Sequence, residues 1–489
     1  MTRFRPVRPL LAALACAAAL AAPPGAPAAS KPAVPRIAFT QYTLPNGLRV
    51  ILAPDDRREA PPVIAVNVTY DVGSRSEVVG RSGFAHLFEH MMFQGSDNVA
   101  KTEHIRLIQS NGGSMNGTTN QDRTNFFEAL PSNQLPLALY LEADRMRSLD
   151  ISQENLDNQR QVVEEEKRQS YDNRPYGHTY EAMLDLAYTG FPYKHTTIGS
   201  MADLDAATLD DVRGFHKTYY EPNNAVLTVT GRFDSADARA LIEKDFGPIA
   251  RGATPPPQTF SEPAVPGGER RKTLSDPLAR HSQYMAGYVT VSGTDPDFFP
   301  LTMLGDILSG GPTTRLYKAL VETEIATGAS AGPNENRGPG LFIISADLPP
   351  DGDLGKAESA IDSVVKGVQQ DGVTKDEMAI ALAAERIGSL RGLQTSLGRA
   401  NLVGLYATVF NDPGRVNTYL ASLQAVTAAD IQRVARKYLI TANRSVVITQ
   451  PAPAPAAAPA TNTPPAAGPA PAANATPAAD AAPGAAKGQ

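Results

Sequence analysis

A single cysteine, Cys16, in 489 residues leaves this chain with almost no thiol chemistry. Cys16 sits in an apolar run from Leu10 to Ala22 that follows Arg3, Arg5 and Arg8 and leads into small residues. That is the pattern of a secretory signal peptide, predicted over residues 1–29, and it points to a secreted, periplasmic protein of bacterial type. Once the leader is gone no disulfide is possible, so stability must come from a large core. The run is shorter than the ~20 apolar residues that span a bilayer, so no membrane span is expected after cleavage. Excess basic charge is also lacking. Lys and Arg number 45 against 51 Asp and Glu, for a formal charge of −6. No basic stripe with interleaved aromatics occurs, which argues against a nucleic-acid partner. Residues 451–489 lack apolar periodicity altogether, being mostly Ala and Pro, and are predicted to be a disordered tail.

Histidine is scarce as well, with seven in the chain, yet two of them fall in His86-Leu87-Phe88-Glu89-His90. Residues i and i+4 share one face of a helix, so His86 and His90 can aim at one metal ion. Glu89 borders that face and can take a proton from metal-bound water. H-x-x-E-H inverts the common H-E-x-x-H order and is an inverzincin signature. Zinc accepts imidazole nitrogen and carboxylate oxygen and keeps an open catalytic position. Gly83-Phe84-Ala85 before the motif and Met91-Met92-Phe93 after it make the helix apolar. Ionisable groups on such a helix are costly unless paired or metal-bound.

A third protein ligand is then required. Val162-Val163-Glu164-Glu165-Glu166 offers three carboxylates on a predicted helix. Successive helical residues point about 100° apart, so only one of the three can face the metal squarely. If Val162 and Val163 mark the buried side, Glu166 projects on it at i+4 and i+3. Glu165 is also within reach of Val162, so periodicity favours Glu166 only mildly.

The chain repeats itself. Leu204 to Thr208 matches Leu423 to Thr427, Asp211-Val212 matches Asp430-Ile431, Tyr219 matches Tyr438 and Asn224 matches Asn443. The run from Val226 to Thr230 matches that from Ser445 to Thr449, and the offset is a constant 219 residues (438 minus 219). Each copy reads as a capped helix ending near a Tyr, a turn, and a strand. Between the copies, 251–268 carries Pro255-Pro256-Pro257, Pro263 and Pro266 and reads as a linker. The predicted organisation is α+β: a first domain over 36–250 with the metal motif, and a homologous second domain over 269–450 without it. Gly-rich Asn111 to Thr119, followed by Asp122 to Phe127, suggests a loop leading into a strand that could bind an extended peptide through its backbone.

These motifs together resemble the pitrilysin, insulin-degrading enzyme and mitochondrial processing peptidase family of zinc metallopeptidases, over roughly residues 38 to 450. The resemblance rests on Leu44-Pro45-Asn46-Gly47-Leu48-Arg49-Val50, on Gly83 to Gly95, on the Asn116 region, on Arg160 to Glu166, and on Tyr219-Tyr220-Glu221-Pro222-Asn223-Asn224. It implies two α/β-sandwich domains facing each other across a chamber, one Zn²⁺ per chain, and hydrolysis of short or unfolded polypeptides. It puts the third ligand on Glu166, beside His86 and His90, with Glu89 as the base. It also implies substrate-binding roles for Asn116, Gly117 and Thr118 on an edge strand. The family often has a supporting Glu seven residues before the ligand, where this chain has Gln159. Relatives active as single chains carry an Arg and a Tyr in the second half. Here Val321 and Gly328 stand in those places, and neither offers a side-chain donor to an oxyanion. The resemblance therefore implies a homologous partner subunit bearing the Arg/Tyr pair, or a homodimer. Two rival expectations are a non-catalytic, chaperone-like subunit of the same fold and a different metal hydrolase with a convergent motif. The repeat disfavours the second.

Overall fold

Two strands, Val63–Tyr70 and Ala225–Gly231, are buried along almost their whole length in this computed structural model. A strand buried on both faces must be covered by helices on both sides. That requirement organises the molecule. The structure describes residues 36–258, 260 and 267–453. The leader at 1–29, most of the tail and the middle of the linker lie outside them. Among the described residues no helix is long and apolar enough to cross a membrane.

The first sheet contains β1 (Thr40–Thr43), β2 (Arg49–Pro54), β3 (Val63–Tyr70), β4 (Ser114–Thr119), β5 (Thr124–Pro131) and β6 (Ala225–Gly231), in the order β1-β2-β6-β3-β5-β4. Only β2 and β6 run parallel; Val68 sits opposite Leu227 and Phe126 in antiparallel register. Helices α1 (Phe84–Met91), α2 (Glu103–Ser110), α3 (Leu135–Ser148) and α4 (Gln153–Lys167) build the core on one side of it.

The second sheet contains β7 (Arg270–Asp276), β8 (Gln283–Val289), β9 (Gly328–Pro333), β10 (Leu341–Asp347) and β11 (Arg444–Pro451), in the order β7-β11-β8-β10-β9. This is the first sheet's order, without a counterpart of β1 among the described residues, and β7 again runs parallel to β11. The repeat holds down to single hydrogen bonds. Thr208 and Asp211 form a capping box at the helix Leu209–Tyr219, and Thr427 and Asp430 form the same box at Ala428–Tyr438. Asn224 Nδ2 donates to Tyr219 O at 2.8 Å, and Asn443 Nδ2 donates to Tyr438 O at 2.9 Å.

The covering of the remaining faces does not follow the linear division at 250. Helix α5 (Thr179–Ala187), from the first half, lies on β7, β8 and β11 of the second sheet. The helix Ser396–Val409, from the second half, lies on β3, β5 and β6 of the first. Each half thus contributes one helix to the other's sheet. Thr179 Oγ1 meets Thr449 Oγ1 at 2.7 Å, and Thr230 Oγ1 donates to Ser396 O at 2.6 Å. Arg337 adds a tie from the second half, donating to Asp71 at 2.9 Å and to the carbonyls of Thr408 and Val409.

Candidate metal centre and active site

Gly83 opens α1 in the left-handed region (φ +90°), where the helix start comes against Ile198 and Gly199; a Cβ there would lie 2.8 Å from Ile198 O. Phe84, Ala85, Leu87, Phe88 and Met91 then pack into the core. His90 and Glu89 are left half-buried, His86 is buried, and the Nε2 atoms of the two histidines stand 3.4 Å apart.

Helix α4 starts at Ser152, which accepts from Asn155 N, and buries Leu156, Gln159 and Val163 at helical spacing. Three residues beyond Val163, Glu166 brings Oε2 to 3.2 Å from His90 Nε2 and 3.7 Å from His86 Nε2. Glu165 points away and binds Arg168 and Gln169, and Glu164 faces Asp205. One sequence expectation needs correction. Val162 is 42% exposed, so Val163 alone marks the buried side. Adjacent helical positions diverge by about 100°, and a stripe one residue wide cannot hold both.

Separations of 3.2–3.7 Å are those between ligand atoms around one tetrahedral zinc, where bonds of ~2.0–2.2 Å place neighbours roughly 3.4 Å apart. The electrostatics suit the same ion. Burial, and then the neighbouring His90, push His86 down to about 4, which leaves a neutral imidazole, the form a metal ion requires. Its Nδ1 is buried and has no hydrogen-bond partner among the described residues. The hydrogen bond from His90 and the two imidazoles hold Glu166 below its usual range, as a carboxylate. A second trio, His104, Glu128 and Glu142, also brings ligand atoms within 4.8 Å of one another. There, however, Arg145 binds Glu142 through Nε and Nη2 and places a cation beside the group, which disfavours another.

Glu89 lies beneath β4, the sheet edge. A Cβ on Gly117 would come 3.0 Å from Glu89 Cγ and 3.2 Å from the Phe126 ring, so the glycine leaves space for the carboxylate. Burial raises the Glu89 carboxyl, while a hydrogen bond from Thr119 and the charges of His90 and Arg123 pull it back. Among the described residues the outer edge of β4 has no strand neighbour. Asn116 is exposed on it, with its Oδ1 accepting from Gly117 N. Thr118 Oγ1 instead turns to Asn125 Oδ1 at 2.6 Å and to Arg123. Gln159 is buried and donates to Asn158 Oδ1 at 2.7 Å.

Among the described residues the second half has no such centre. The helices Phe298–Leu308 and Lys375–Gly392 occupy the places of α1 and α4. Thr302, Gly305 and Asp306 stand 216 residues after His86, Glu89 and His90 (302 minus 86), and Glu385 stands 219 after Glu166 (385 minus 166). Gly305 meets Gly332 of β9 as Glu89 meets Gly117 of β4. Burial and the adjacent Glu385 push Asp306 up to about 7, and burial raises Glu385 as well. Val321 ends a short turn, Gly328 begins β9, and Arg315 is held by Glu377 and by Gly372 O.

Sequence reasoning missed Glu77 and His195. Glu77 is buried and accepts from Gly83 N and Ala85 N, both at 2.9 Å, and its Oε2 meets His195 Nε2 at 2.8 Å. Glu77 sits among ordinary polar residues, and only the scarcity of histidine marks His195.

Residues 56–200 match the family model described as Insulinase (Peptidase family M16), and residues 206–385 match the Peptidase M16 inactive domain. The chain is 29% identical to the zinc protease PqqE of Helicobacter pylori over 416 residues, covering 84% of this chain and 92% of that protein. It is 27% identical to a probable mitochondrial-processing peptidase subunit beta of Arabidopsis thaliana, over 81% of this chain and 75% of that one. Among solved structures, a protease from Helicobacter pylori superposes with TM-score 0.81 at 28% identity, covering 85% of this chain and all of that one. The first half of the periplasmic protease PqqL from Escherichia coli shares the fold, with TM-score 0.67 at 18% identity over 86% and 93% of the two chains. Two models of one family, matching consecutive parts of a chain that folds as two related α+β halves, leave one assignment: this chain belongs to peptidase family M16.

Proposed function

We propose that this chain is a zinc-dependent peptidase acting on short or unfolded polypeptides, with His86, His90 and Glu166 as the zinc ligands and Glu89 as the general base. The observation that carries the proposal is the meeting of these three ligand atoms directly beside a carboxylate that lies under an unpaired sheet edge. Zinc bound there would polarise the scissile carbonyl and acidify water. The chain's own residues do the rest. The free edge of β4 pairs with the extended substrate backbone, which makes recognition largely independent of side chains. Glu89 accepts a proton from the attacking water and returns it to the leaving amine. Its half-buried position keeps it dry enough to be a stronger base than an exposed carboxylate. In Glu89→Gln the zinc content should match wild type while cleavage of unfolded peptides falls by about 10²–10⁴-fold. Wild-type turnover in that variant would overturn the mechanism.

The absence of donors at Val321 and Gly328, with Arg315 occupied by Glu377, favours a partner. A homologous subunit bearing an Arg/Tyr pair would complete the oxyanion site, and a missing donor of that kind costs on the order of 10²–10³-fold. The likeness to one half of PqqL supports such pairing, and that protein's description as periplasmic supports the same compartment here. The isolated chain should bind zinc yet cleave weakly. Adding the partner should raise turnover sharply, whereas full activity of the purified chain alone would exclude the need for one.

A further inference from the structure

The helix that carries both histidines begins without a capping side chain of its own. Its N-cap is Gly83, and the first turn's N–H groups have no intrahelical acceptor. Glu77, nine residues upstream of His86, supplies the acceptors from outside: Oε2 takes Gly83 N–H and Oε1 takes Ala85 N–H, both at 2.9 Å. An anion at this end also complements the helix dipole. Ala85 directly precedes His86, and its carbonyl accepts the Tyr220 hydroxyl at 3.3 Å. Tyr219 holds the other side, donating to Ser76 O at 3.2 Å, next to Glu77.

His195 sits behind Glu77. Its Nδ1 faces the carbonyl of Phe191 at 3.0 Å, and its Nε2 faces Glu77 Oε2 at 2.8 Å. A carbonyl can only accept, so Nδ1 donates. The Glu77–His195 contact must then hold a further proton, whichever atom carries it. The ring stacks on Phe191, with centroids 4.3 Å apart, and is fixed in direction. A short segment downstream completes the hold: Ser82 Oγ donates to Asp203 at 2.6 Å, and Ser200 N donates to Ser82 Oγ at 3.0 Å.

We propose that Glu77 and His195 act as one unit of positioning residues that sets where the first turn of α1 lies against α4, and so pre-forms the His86, His90 and Glu166 trio for its metal. The inference rests on the proposed zinc site. Neither residue touches the ligand atoms. Their effect passes through the backbone at Gly83 and Ala85, and loss of such support around ligands typically weakens metal binding by 10–100-fold.

The test is titration of the metal-free full chain with zinc alone, against a competing chromophoric chelator, with thermal melting of the same metal-free samples. Glu77→Gln keeps the size but only one acceptor oxygen, and should bind zinc about 10–100-fold more weakly while still melting cooperatively. His195→Ala should weaken zinc by about tenfold. His195→Gln, which retains a donor toward Glu77, should recover most of that loss. The double variant Glu77→Gln/His195→Ala should be no weaker than Glu77→Gln alone. Folded variants that bind zinc within twofold of wild type would overturn the proposal, as would losses that simply add. If Glu77→Gln does not fold, the His195 pair of variants decides by the same criterion. A wild-type chain that binds no zinc would instead overturn the functional reading, and this proposal with it.

Discussion

Glu165 and Glu166 are sequence neighbours, but one helical step of about 100° sends them to opposite tasks. Glu165 is exposed and tied to Arg168 and Gln169; Glu166 faces two imidazoles. Glu166→Ala should therefore empty the proposed zinc site, and Glu165→Ala should leave it filled, as measured by zinc per chain after dialysis. The reverse outcome would mean that α4 is rotated by one residue from the arrangement described here. At this scale the two histidines and Glu89 were legible because their geometry is local to one helix. Periodicity alone placed the candidate ligand Glu166 only to within one residue, since the exposed Val162 blurred the apolar stripe, and the family resemblance chose it. Glu77 and His195 were not legible at all. Their contact joins residues 118 apart, and no local pattern records it.

Strand β5 alternates Phe126, Glu128 and Leu130 on one face, and all three are buried. Alternation of this kind normally selects apolar residues at each inward position. Glu128 breaks the rule between α2 and α3, beside Glu142, which Arg145 already neutralises. Neither oxygen of Glu128 has a donor among the described residues, and burial, then Glu142, push its carboxyl well above the ordinary range. The folded chain thus keeps a proton there that the unfolded chain releases above about pH 4. Folding carries no penalty from this group below that pH and a growing one as pH rises toward the folded-state value. Glu128→Gln mimics the protonated form. It should stabilise the protein by roughly 1–3 kcal/mol at pH 8 and by little at pH 4, so the gain in Tm must grow with pH. A gain independent of pH would mean that Glu128 is ionised in the folded state. The elements themselves were partly visible in the sequence. The 219-residue repeat surfaced because caps, the terminal Tyr and the following Asn are short-range devices that recur in both copies. Strand order depends on long-range pairing that no such device encodes.

The exchange of helices is a property of the whole molecule. A division into halves near 250 leaves the β3, β5 and β6 face without its cover, because Ser396–Val409 comes from the other side of the linker. The β7, β8 and β11 face likewise depends on α5. One shared cluster joins Ile51, Ala53 and Val226 of the first half to Val403, Tyr406 and Ala407 of the second. Another joins Met183, Leu184 and Tyr188 to Val289, Leu341 and Val447. Chains with two separate cores ordinarily unfold in steps. Here neither sheet can be exposed without also stripping a helix from its neighbour, so calorimetry of the metal-free chain should give one transition. Gly404 offers the probe. It lies on the face of the crossing helix that meets the first sheet, and a Cβ there would lie 2.6 Å from Asn67 Nδ2 and 2.9 Å from Thr69 Oγ1. Overpacking of that sort costs about 1–3 kcal/mol. Gly404→Val should shift the entire transition to lower temperature, although the residue belongs to one half and its contacts to the other. A transition that splits, with one part moving and the other fixed at the wild-type temperature, would show that each half holds its core alone and that the exchanged helices are only ornaments on two independent folds.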